Sequence, residues 1–123
     1  MPENTVLSES ILDSIKDLLG LKGVSVFDAQ IVMHINTVFA NLAQMGVGPK
    51  NESGANIGFK IVGNTETWGQ FTSDNILLEN VKTYVYLKVK MSFDPPQPQA
   101  LITAYNAQIA ELEWRLYTQE GGY

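Results

Sequence analysis

Apolar residues return every three or four positions through most of this chain, and glycine or proline marks nearly every place where the rhythm stops. From Ser8 to Leu21, the residues Ile11, Leu12, Ile15, Leu18 and Leu19 make one apolar face at helical spacing. Ser10 with Asp13 resembles a capping box at its start, and Gly20 with Gly23 supplies the stop. From Phe27 to Met45 the spacing runs through Phe27, Ile31, Ile35, Val38, Leu42 and Met45. It ends at Gly46-Val47-Gly48-Pro49, a cap glycine followed by a helix breaker. The opposite side of this second helix carries Ala29, Met33, Asn36, Ala40 and Ala43, and Asp28 is its only formal charge. A solvated face would carry Lys and Glu. A small, neutral row predicts packing on another helix, of this chain or of a neighbouring one.

Lys50 to Asn75 loses the periodicity and is rich in Gly, Asn and Ser, which predicts a loop excursion. Within it, Gly58 to Val62 has the character of a short strand or extended arm. Trp68 and Phe71 are large aromatics on an otherwise polar stretch, either tucked under the loop as a satellite cluster or offered to a partner.

Leu77 to Phe93 sends two signals. Val85, Leu87, Val89, Met91 and Phe93 alternate with polar or amphipathic residues, as in a strand. Asp74 or Asn75 can cap a helix, however, and Leu77, Leu78, Val81, Tyr84, Val85 and Lys88 make a helical face; a lone strand this long would also lack partners. These features favour a helix. Asp94-Pro95-Pro96 and Pro98 then break it.

Ala100 to Thr118 predicts another helix, with Leu101, Tyr105, Ile109, Leu112 and Leu116 as its core stripe and Glu111 with Arg115 as an i, i+4 pair. Its second row is Thr103, Ala107, Ala110, Trp114 and Tyr117, small residues leading to two aromatic anchors, as suits an interface; Trp114 alternatively packs within the chain.

At 123 residues the chain is expected to form one domain spanning 1–123, with a loop excursion at 50–75 and a polar tail at 119–123. Charged residues are 17% of it, below the globular norm of about 25%, so something besides water is expected to cover part of the surface. The net charge of −5 is the wrong sign for a protein that chiefly grips phosphates. With no cysteine there is neither a disulfide frame nor a thiolate site. No segment has the length of a membrane span, and Met1 to Ser10 lacks the features of a signal peptide, so a soluble intracellular protein is expected.

Candidate chemistry is sparse. His34 has Thr37 and Val38 at the positions where a helical metal site would need ligands. Glu111 and Glu113 point to different faces. Gly46 to Pro49 lacks the Lys-Ser/Thr of a phosphate loop. Lys82, Lys88 and Lys90 would share one face of a strand but scatter around a helix; they suit a solvated face, a patch for an acidic partner, or contact with DNA. The expectation is a structural or interaction protein that is not an enzyme and takes no metal or cofactor. An enzyme would have to assemble its site between subunits.

The ordered set Ile11 to Gly20, Phe27-Asp28 leading into His34-Ile35-Asn36, Gln44 to Pro49, Thr67-Trp68, Val81 to Val89, Phe93 to Pro96 and Glu111 to Leu116 resembles the head-tail connector, or adaptor, family of tailed bacteriophages. The resemblance implies a mainly α fold: an antiparallel bundle of about four helices, with a long loop or short β-hairpin excursion between helices 2 and 3 and a helix at Val81 to Phe93. It implies a ring, commonly twelvefold, under the portal vertex in the virion neck, with DNA passing through the lumen and a stopper or tail-completion protein below. By position, Trp114 to Tyr123 would dock on the portal protein and Lys50 to Phe71 would reach a neighbouring copy, the loop and tail ordering only on docking. The longer insert Lys50 to Gly58 departs from the family pattern. Another neck protein, or a non-viral helical module, is the alternative. Ala29, Met33, Ala40, Trp68, Phe71, Ala107, Ala110, Trp114 and Tyr117 are the expected interface residues, and no membrane partner is expected.

Overall fold

The computed structural model describes residues 7–119. Among them the chain forms five helices: α1 (Ile11–Leu18), α2 (Asp28–Gln44), α3 (Trp68–Phe71), α4 (Asn75–Phe93) and α5 (Gln99–Gln119). The expected mainly helical bundle is the fold observed. The tail at 119–123 lies outside the described residues except for its first member.

Local chemistry sets the helix ends. The Ser10 hydroxyl accepts from the Asp13 amide at 3.1 Å and opens α1. That helix is shorter than the Ser8 to Leu21 expected, because Gly20 turns left-handed at φ 79° and the Leu21 amide closes back on the Lys16 carbonyl at 2.8 Å. The same closure ends α2, where the Val47 amide reaches the Leu42 carbonyl at 2.9 Å and Val47 itself is buried. Asp74 Oδ1 accepts from the Ile76 and Leu77 amides at 3.0 and 3.1 Å and starts α4, and Pro95-Pro96 enforces its end.

α4 is the central helix, packed on α1, α2 and α5. Its buried residues Leu77, Leu78, Val81, Tyr84, Val85, Leu87 and Val89 spread over roughly 200° of its circumference at ~100° per residue. Val81, Val85 and Val89 form one flank of that arc, and Tyr84 and Leu87 the other. The strand-like alternation of Val85, Leu87 and Val89 is therefore the signature of a helix buried on two sides.

The excursion between α2 and α4 is a loop with an isolated bridge from Lys50 to Asn56, and Gly58 to Val62 is not a strand. Nor is its second half a free arm. Asn36 on α2 clamps Ile61 from both sides, its Nδ2 donating to the Ile61 carbonyl at 2.9 Å and its Oδ1 accepting from the Ile61 amide at 2.8 Å. Phe39, also on α2, stacks on Phe71 at 5.1 Å between ring centres and meets Phe59 and Trp68 edge-on. The Trp68 indole N–H donates to the Ser14 hydroxyl on α1 at 2.8 Å. Gly69 lies so close to the chain before α1 that a Cβ there would stand 2.9 Å from the Leu7 carbonyl oxygen. The Glu66 carboxylate accepts from the Val62 and Gly63 amides. Burial pushes its pKa up, but amide hydrogen bonds from Val62, from Glu66 itself and from Gly63 prevail and hold it below the ordinary value.

Candidate docking surfaces

The expected interface residues divide into two sets. Trp68 is fully buried and Phe71 is 3% exposed, so neither has surface for a partner. Placing them at an interface is corrected by the loop's collapse onto Phe39: burying two large aromatics in the core outweighs displaying them. The other seven, Ala29, Met33, Ala40, Ala107, Ala110, Trp114 and Tyr117, are all exposed.

Helix geometry explains that exposure. On α5, Leu112 and Leu116 are buried and Tyr105 and Ile109 partly so, whereas Thr103, Ala107, Ala110, Trp114 and Tyr117 lie on the opposite side. Trp114 leaves 64% of its surface in solvent and Tyr117 leaves 42%. Leu101 was expected in the core stripe and is 43% exposed, because the first turns of α5 run past the cover that α4 provides. On α2, Met33 is 62% exposed between Ala29 and Ala40, and Val62 beside this row is 85% exposed. Asn36 and Ala43 are half-buried, the former beneath the loop it clamps. Both rows point away from α4 on different flanks, since α2 and α5 pack on it separately.

The three lysines do not form a strip. On helical α4 they point in three directions, the scatter expected of a helix. Lys82 pairs with Glu9 at 3.2 Å, Lys90 pairs with Asp94 at 3.1 Å, and the Lys88 ammonium lies 6.0 Å from the centre of the Tyr84 ring. His34 packs edge-on to Phe93 at 6.3 Å. Among the described residues no three His, Cys, Asp or Glu side chains gather as metal ligands, and no helix is long and apolar enough to cross a membrane.

Two polar links escaped the sequence pattern. Lys16, buried on α1, reaches Asp28 Oδ1 on α2 at 2.9 Å. The buried Tyr84 hydroxyl donates to Glu113 Oε2 on α5 at 2.9 Å. Burial, helped by that hydrogen bond and the Glu113 charge, pushes the Tyr84 phenol well above its usual range. Neither Lys16 nor Glu113 lies on the apolar stripe of its helix, so spacing announced neither link.

No curated protein and no solved structure matches the chain. The sequence profile described as "Phage connector protein" matches residues 11–123, nearly the whole chain. With two uncharged rows facing outward from a helical body, the chain belongs to the phage connector protein family, structural proteins of the virion head-tail region that associate with other phage head and tail proteins.

Proposed function

We propose that this chain is the adaptor subunit of the neck: copies form a ring beneath the portal vertex, line the DNA exit channel and join the portal protein to the stopper or tail-completion protein. The observation that carries this reading is the pair of outward, uncharged rows on different flanks of α4. A ring needs two different surfaces per subunit, because a head-to-tail contact closes only when each copy offers one face forward and another back. A net charge of −5 also suits a channel through which DNA slides without sticking.

The test is co-assembly. Ala40→Glu and Ala110→Glu place a carboxylate in the middle of each row at exposed positions. Both variants should keep full helix content and lose ring formation and co-purification with the portal protein. Undiminished assembly of both contradicts the reading.

A further inference from the structure

The two rows match each other. We infer, resting on the ring reading above, that the α5 row of one copy packs on the α2 row of the next in a parallel register, with Thr103 opposite Ala29, Ala107 opposite Met33 and Trp114 opposite Ala40.

Direction is the first support. Phe93 near the end of α4 meets Phe27 at 5.5 Å and His34 at 6.3 Å, so α2 runs antiparallel to α4. The bond from Tyr84 to Glu113, with a turn at 94–98, makes α5 antiparallel to α4 as well. Helices α2 and α5 thus run the same way. Rotation about an axis along the helices preserves direction, so in a ring with that axis α2 meets α5 parallel; a two-fold axis across the helices would set them antiparallel.

Height is the second. Phe93 lies level with the middle of the stretch from Phe27 to His34, at Gln30 and Ile31 and within one turn of Ala29. Counting along α4 from Tyr84, which is level with Glu113, places Phe93 level with α5 near Ala104. The rows therefore begin at the same height to within about one helical turn, ~5 Å. Rotation without translation, the operation that closes a ring, brings them together.

Size and charge are the third. Both rows use the same +4, +3, +4, +3 spacing over ~21 Å. In this register the large residue of each pair meets a small one: Met33 sits on Ala107, and Trp114 covers Ala40. Reversing the direction sets Met33 against Trp114. Lys60, exposed and one residue before the clamped Ile61, stands beside the α2 row at the height of Asn36. In this register Ala110 comes level with Asn36 and the loop that covers it, which brings Lys60 to the exposed Glu111 carboxylate of the next copy, already paired with its own Arg115.

The chain has no cysteine, so disulfide trapping on the full-length protein reads the register directly. At high protein concentration, oxidised Met33→Cys/Ala107→Cys should give a ladder of covalent trimers and larger species. Each single variant should stop at dimers, and Met33→Cys/Trp114→Cys, which tests the reversed direction, should give a ladder at least several-fold weaker. Lys60→Glu and Glu111→Lys should each weaken the Met33→Cys/Ala107→Cys ladder several-fold, and the two together should restore it. Rings seen by native mass without this ladder overturn the register and leave the ring reading standing. Neither rings nor ladder, alone or with portal protein, overturns both. A ladder unchanged by the charge variants overturns the Lys60 to Glu111 contact.

Discussion

The Tyr84 hydroxyl donates to Glu113 Oε2 across 2.9 Å and so fixes how high α5 rides on α4. That height sets where the outer row of α5 stands relative to the row on α2, which connects one part-buried hydrogen bond to the proposed assembly.

Tyr84→Phe keeps the ring and removes the bond. It should cost about 1–2 kcal/mol, measured by urea denaturation, because the partner is a carboxylate. Folding raises the Tyr84 pKa from its ordinary 10.0. The native state therefore holds this proton more tightly than the unfolded chain does. The contribution is fully present below about pH 10 and is lost as pH climbs from there towards the folded value. Melting temperature followed from pH 9 to 11.5 should fall more steeply in the parent than in Tyr84→Phe.

The long helices were legible because their apolar spacing and terminal breakers agree. The α2 pattern from Phe27 to Met45 differs from the observed helix by one residue at each end, and α5 likewise extends one residue beyond Ala100 to Thr118 at each end. What stayed hidden depends on tertiary neighbours. Periodicity does not tell that Leu101 overhangs α4, that Lys16 is buried on a partner from α2, or that Trp68 finds Ser14 fifty-four positions away. The outer rows of α2 and α5 were visible as missing charge. Asn36, counted with the α2 row, instead holds the loop, a role that an isolated asparagine does not announce.

The Lys16 to Asp28 pair should respond unequally to its two deletions. Lys16 is 7% exposed, so Asp28→Ala strands a buried cation and also removes a carboxylate from the first turn of α2; it should cost about 1–3 kcal/mol. Lys16→Met keeps the aliphatic volume and leaves the Asp28 carboxylate, 35% exposed and in the first turn of α2, so it should cost less than Asp28→Ala. Thermal or urea melts check the order of the two effects, and equal losses would contradict it.

Asn36→Ala frees both backbone groups of buried Ile61. A loss of about 1–3 kcal/mol is expected. Hydrogen exchange should show the Ile61 amide protected in the parent and exposed in the variant, while amides of α4 change far less. An Ile61 amide unprotected in the parent would mean that the clamp is absent in solution.

Ala40→Glu and Ala110→Glu should each shift stability by less than about 0.5 kcal/mol, since both positions are exposed. Circular dichroism melts of the purified variants check this, and they separate a failure to assemble from a failure to fold.

An image of the assembled virion neck with individual helices resolved tests the central claim most directly. The expected result is a ring beneath the portal in which Trp114 of each copy covers Ala40 of the next. A neck in which both outer rows face solvent or the DNA channel, with neighbouring copies joined through other surfaces, would contradict it.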